Sequence, residues 1–332
     1  MLKKVTALLL TLVLFSFAFY GCGGEKSSND DNSPDETISQ NENNVNDETE
    51  TNTNTIKVTT EDALKYEKLI SKDSNYSVVI GKNGKLNFDK PNAYPYLSPA
   101  LEWENLVQVS SSCNLLVAVD STGNVHIVGA SKTLENIDLS DFTNIVYVGV
   151  TPHCVYGLKS DGTVVSSGKY ALDLSSWANV KQLSVADGDT AQVVVGLTND
   201  AKVLTASTYD EILEAKNWTD IIQVSAGRLH VAGLKADGTV VTCGRPLFEE
   251  EGDEGEFDVV AWEDIVYVSA DNQTTVGLKS DGTVVATGYN RSSYTKDWTD
   301  IVTVCQGDNS VAALKIDGTL LKMGMDEFNI FN

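Results

Sequence analysis

The chain has 332 residues, 42% of them hydrophobic, and a formal net charge of −23 from 47 acids against 24 Lys and Arg. That length and apolar content suffice for a packed domain. The acidity opposes nucleic-acid binding, in which cationic side chains displace counterions from a phosphate backbone. Much of the charge is local: Glu25 to Thr55 holds nine acids and one lysine, and Glu249 to Asp258 seven acids and no base, so the remainder is only moderately acidic.

Residues 1–21 read as a signal peptide. Lys3 and Lys4 precede an apolar run of sixteen residues, Val5 to Tyr20, shorter than the roughly 20 a membrane-spanning helix needs. The following Gly21-Cys22-Gly23-Gly24 resembles a bacterial lipobox, with Phe19 and Tyr20 where an aliphatic and a small residue are commoner. The resemblance implies that Cys22 is diacylated and becomes the mature N-terminus. The protein is then expected at the cell membrane of a bacterial envelope, lipid-anchored and facing outside the cytoplasm. Residues 22–55 hold two aliphatic residues, Ile38 and Val45, and no aromatic. Such a segment cannot bury enough surface to offset its ordering entropy, so an acidic, disordered tether is expected.

Residues 56–332 repeat themselves. Trp298-Thr-Asp-Ile-Val-Thr-Val recurs, with variations, from Trp262, Trp218, Trp177, Phe142 and Trp103, with Asp or Asn two residues after every aromatic. A second signature, Gly-Leu-Lys-x-Asp-Gly-Thr-Val-Val, begins at Gly157, Gly233 and Gly277, with a close copy at Ala313 and weaker ones at Val78, Val117 and Val195. Ile-Val-x-Val is rich in strand formers. Asp-Gly between two strand patterns is a strong hairpin signal, because the tight turn needs positive φ. The turns fall at 84, 123, 162, 201, 238, 282 and 318, a period near 40 whose one long step contains the acidic stretch 249–258. An all-β, seven-bladed propeller follows. Ala118, Gly157, Gly196, Gly233, Gly277 and Ala313 share a register, expected where strands converge near the axis. Gly129, Gly168, Gly244, Gly288 and Gly324 are expected to end third strands. The first blade has only Leu64 or Tyr66 near the opener position, and Phe328 to Phe331 is expected to supply its outer strand and close the ring.

These units resemble the regulator of chromosome condensation repeat, and Trp218 to Gly244, including Ser225-Ala226-Gly227 and His230, matches it almost throughout. The resemblance covers residues 60–325 and implies the propeller fold. The family's founder is a nucleotide exchange factor that binds chromatin; neither activity is expected of an exported, acidic chain. A propeller-type β-lactamase inhibitor among its secreted relatives makes protein binding the nearer analogy.

Chemistry-bearing residues are few. The family position of His230 implies a structural role. His153 and Cys154 are adjacent and point to opposite faces of a strand, which disfavours a shared metal site. No metal or cofactor is expected. The turn aspartates repeat, as turn geometry demands. Cys113, Cys154, Cys243 and Cys305 read as free buried thiols, and the acidic insertion 249–258 as a solvated loop in preference to a calcium site. The hairpin face is nearly identical from blade to blade. The opposite face varies, with Asn114, His153, Asp189, Arg228, Asn272 and Asp308 in the loops between first and second strands and Tyr170, Phe248, Tyr289, Arg291 and Tyr294 beyond the third strands. Tyr and Arg are common interface anchors. The variable face is therefore expected to bind an unidentified protein or envelope glycan. The competing class is a lyase or hydrolase with a pocket at the channel mouth, which needs clustered, non-repeating titratable groups that the sequence does not display.

Overall fold

The computed structural model describes residues 56–72, 76–90, 94–112, 115–187, 192–245, 257–272, 274–288, 295–307, 310–322 and 328–329. The expected leader, the Cys22 anchor and the tether lie outside them. These residues form seven antiparallel sheets, each from one consecutive stretch of chain with its second strand in the middle. The inner, first strands are Ile70–Lys72, Leu106–Ser112, Ile145–Thr151, Val180–Asp187, Ile221–Ala226, Ile265–Asp271 and Ile301–Gly307. Seven apolar clusters fill the spaces between sheets, one at each junction of neighbours. An open stack of seven would have six such junctions; the seventh closes a ring.

Closure differs from the sequence expectation. Phe328–Asn329 pairs with Thr319 and Leu320, making a fourth strand on the seventh sheet and not an outer strand of the first. The seam is held instead by Ile70 and Val79 packed against Val302, Ala312, Leu314 and Leu320, and by a buried ion pair between Lys322 and Asp89.

Neighbouring blades interlock at the repeat signatures. The residue two after each opener (Asn105, Asn144, Asn179, Asp220, Asp264 and Asp300) has φ between 56° and 62°, a left-handed conformation that Asn and Asp tolerate better than other side chains. After five of them the next N–H donates to the turn glycine of the preceding blade, as in Leu106 N to Gly84 O at 2.9 Å and Ile145 N to Gly123 O at 3.1 Å. Six inner strands then carry a bulge, for example between Ile221 and Gln223, which places Gln108, Tyr147, Gln182, Gln223, Tyr267 and Thr303 in one common register.

The shared small residues have another cause than crowding at the axis. A Cβ on Gly157, Gly196, Gly233 or Gly277 would stand 2.7–2.9 Å from ring atoms of Phe142, Trp177, Trp218 or Trp262, the opener of the same blade. Gly129, Gly168, Gly244 and Gly288 do end third strands.

Leu64 and Tyr66 open no strand, for they lie on a helix, Thr60–Glu67. Its start is fixed by a capping box, with Asp62 N donating to Thr59 Oγ1 at 3.2 Å and Thr59 N to Asp62 Oδ2 at 3.1 Å. Just before it, Val58 N donates to Ser280 O in the sixth blade's hairpin, so the chain enters on the hairpin face. Among the described residues no helix is long and apolar enough to cross a membrane.

Candidate binding face and central cavity

The hairpin face is occupied with its own geometry. Asp161 Oδ1 accepts from Thr163 N at 2.9 Å and Thr163 Oγ1 at 2.6 Å, and Asp237 and Asp281 repeat the arrangement with Thr239 and Thr283. These threonine bonds hold all three carboxyls below the usual range. Asp120 is richer in partners: burial alone would raise its carboxyl, but bonds from Thr122, His126 and Asn124 hold it well below the usual range.

The opposite face offers side chains that do not repeat. Cys154 pairs with Gly168 across the third sheet, which puts the loop between first and second strands beside the loop leaving the third. His153 and Tyr170 consequently meet edge to face, ring centres 5.7 Å apart, and Lys169 Nζ lies 5.0 Å from the Tyr170 ring centre. Both His153 and Tyr170 are exposed. Between the fifth and sixth blades Arg228 Nη1 donates to Asn272 Oδ1 at 3.4 Å. The structure thus brings together four of the residues expected on this face, as two pairs. Asn114, Asp189, Asp308, Phe248, Tyr289, Arg291 and Tyr294 lie outside the described residues, as do Cys113 and nearly all of the acidic insertion.

His230 is fully buried. Its Nε2 is 3.1 Å from Thr275 Oγ1, its ring meets Phe257 edge to face, and burial holds the imidazole down to about 4. It is a packed side chain under Gly227, where a Cβ would come within 2.7 Å of the ring. Cys154, Cys243 and Cys305 are free thiols. Among the described residues no three His, Cys, Asp or Glu gather as metal ligands.

At the centre lies a cavity of about 420 Å³, lined by inner strands of all seven blades and reaching Pro152, Arg228 and Asn272 of the variable face. Glu67, the last residue of the helix, enters its lining together with Tyr147, Tyr267 and Cys305. Burial raises the Glu67 carboxyl to about 7, against a hydrogen bond from the Tyr267 hydroxyl and the nearby charge of Lys68. Burial, and then the Glu67 charge, push both phenols upward. Burial pushes the Cys305 thiol up to about 12, so it is not a thiolate near neutrality.

The sequence displays no convergent titratable cluster, whereas the structure assembles this one from the helix and three separate blades. Its signal was a break in the repeat. At the same register Gln108 donates to Val148 O at 2.9 Å and accepts from Val148 N at 3.0 Å, bridging to the next blade's inner strand. Gln182 and Gln223 likewise bridge to Val224 and Val268. In the third and sixth blades that residue is tyrosine, and in the seventh it is Thr303.

Seven consecutive antiparallel sheets, six of three strands and one of four, around a polar cavity define a seven-bladed β-propeller. Residues 221–248 match the regulator of chromosome condensation (RCC1) repeat. The CRINKLY WD40 ectodomain of the Arabidopsis thaliana receptor kinase ACR4 is similar at a TM-score of 0.60 and 14% identity, covering 78% of this chain and 94% of that one. The structure of Kap60 bound to yeast RCC1 (Prp20) is similar at 0.52 and 13% identity, with 86% of each chain covered. Prp20p from Saccharomyces cerevisiae, described with its binding to Gsp1p and histones, follows at 0.50 and 12%, over 74% of this chain and 78% of that one. At these identities the likeness is one of fold. No curated protein matches the chain.

Proposed function

We propose that this propeller is an interaction module that binds a protein partner through its variable face, and that Cys22 anchors it by lipid to the outside of a bacterial cell membrane. The observation that carries the first part is the contrast between faces. The hairpin carboxylates are consumed by their own turns, while His153, Tyr170 and Lys169 form an unrepeated cluster on an exposed edge. Aromatic and cationic groups are frequent anchors at interfaces. Propellers of like fold support the reading: yeast Prp20 binds Gsp1p, histones and Kap60.

Against an enzyme, the cavity cluster offers a neutral thiol and no histidine among its described lining. In favour of one, Glu67 is poised near neutral pH.

The test is capture of envelope proteins by the full-length chain, compared with a H153A/Y170A variant and with T163A on the hairpin face. The first variant is expected to lose a specific captured protein and the second to retain it. Equal capture by all three, or capture of envelope glycan in place of protein, overturns the reading. For the anchor, metabolic labelling with a fatty acid should depend on Cys22, and unchanged labelling of C22S would refute it.

A further inference from the structure

We propose that the central cavity is a second binding site, distinct from the variable face, for a small neutral polyhydroxylated ligand of the size of one sugar ring, held by Glu67, Tyr147 and Tyr267.

The first ground is the break in the repeat. An inner strand turns an unpaired backbone edge toward its neighbour, and buried backbone groups need partners. Gln108, Gln182 and Gln223 meet that need across three junctions. Tyr147 and Tyr267 stand in the same register without an amide to make the fork. Thr303 of the seventh blade also lacks the amide, so three of the six blades in this register forgo the clamp, and two of the three line the cavity with a phenol beside one carboxyl, Glu67, brought in by a helix outside the repeat. Departures from a local rule that converge on one point mark a functional site.

The chemistry of the cavity selects the ligand. Its charges are of both signs, Glu67 and Asp271 against Lys72 and Arg228, so no single-sign field favours an ion. Its wall is dense in groups that both donate and accept. Ser184 Oγ accepts from Ala226 N and Ser225 Oγ from Ala270 N, each at 2.9 Å. Each of these hydroxyls keeps its own hydrogen to give. A polyol presents the same alternation of donors and acceptors. Tyr147, the less buried of the two phenols, adds ring surface for the C–H face of a sugar. The volume of about 420 Å³ falls within the range of small-molecule sites.

The experiment is calorimetric titration of the full-length chain with D-glucose, D-galactose and N-acetyl-D-glucosamine, and in parallel with choline and inorganic phosphate. Saturable binding of at least one sugar is expected, with neither ion binding. Y147Q and Y267Q are expected to weaken it at least tenfold while the melting temperature holds or rises, since glutamine restores the fork of the other blades. Y267F, which keeps the ring and removes only the hydroxyl, is expected to weaken it severalfold and covers the case in which the glutamine variants do not fold. H153A/Y170A should leave the titration unchanged, which separates this site from the protein-binding face. No sugar binding, binding of either ion in its place, undiminished binding in Y147Q and Y267F, or a lower melting temperature in both glutamine variants overturns the proposal.

Discussion

The side-chain amide of Gln223 stands in for a missing strand: its Nε2 donates to Val268 O and its Oε1 accepts from Val268 N, both at 2.9 Å. The two residues are in different sheets, so this fork does between blades what a backbone ladder does within one. Gln223 is buried, and no water replaces the bonds if the amide is removed. Gln223→Leu should therefore destabilise the protein by about 2–4 kcal/mol, because an orphaned buried N–H and C=O each cost about 1–3 kcal/mol. Chemical denaturation measures it. A loss under half a kilocalorie would mean the junction is held by apolar packing alone.

Ala201 is the exception among the turns. It adopts φ 61° where six other blades place glycine with φ between 70° and 90°. A left-handed L-residue costs roughly 1–2 kcal/mol, offset by the extra chain entropy that glycine brings to the unfolded state. Ala201→Gly should raise the melting temperature by a few degrees. The reverse change, Gly162→Ala, should lower it by more, for the new Cβ meets Asn179 Cα and Val180 N at 3.1 Å.

Gly233→Ala tests the ring-on-glycine contact. The added methyl would stand 2.7 Å from a Trp218 ring carbon and 2.8 Å from another, and a packed indole has little room to retreat. A loss of about 1–3 kcal/mol is expected for such overpacking. Pairing the change with Trp218→Phe should recover part of it. If the double variant is no better than the sum of the singles, the crowding lies elsewhere.

Two buried groups give stability opposing pH slopes. His230 is held down to about 4 from an ordinary 6.5. Within that window the unfolded chain takes up a proton that the folded one refuses, so stability falls as pH drops, by up to about 3 kcal/mol. Glu67 is raised from 4.5 to about 7 by burial, with the Tyr267 hydroxyl and Lys68 opposing. Within its window the folded state keeps the proton, so stability falls as pH rises. The slopes offset one another between pH 4.5 and 6.5. In E67Q only the histidine slope remains: its unfolding free energy should climb from pH 4.5 to 6.5 where the wild type stays nearly level. A level E67Q profile would show that Glu67 does not titrate in this range.

The periodic part of this molecule was legible in its sequence, because every blade states the same physical demand again. Asp or Asn after the opener marks the left-handed entry to an inner strand, and Asp-Gly marks four of the seven hairpins. The shared small residues showed that space was occupied without showing by what, and the occupant turned out to be Phe142, Trp177, Trp218 or Trp262. The helix was not read from the sequence, where Leu64 and Tyr66 stood as possible openers; its one signal is the capping pair Thr59 and Asp62, short beside a strong repeat. Glu67, Tyr147 and Tyr267 were the least legible. Each is a single departure that looks like decay of the repeat until ring closure brings the three to one place. Gln108, Gln182 and Gln223 were visible as a recurrence, but their partners lie about 40 residues away on another blade.

Among the described residues each sheet is made from one consecutive stretch of chain, with no strand lent across the seam. A gene encoding such a protein can gain or lose a segment of about forty codons and thereby gain or lose one whole wedge, never a fraction of one. The diameter of the ring, and with it the width of the central well, is in this sense a countable property of the gene.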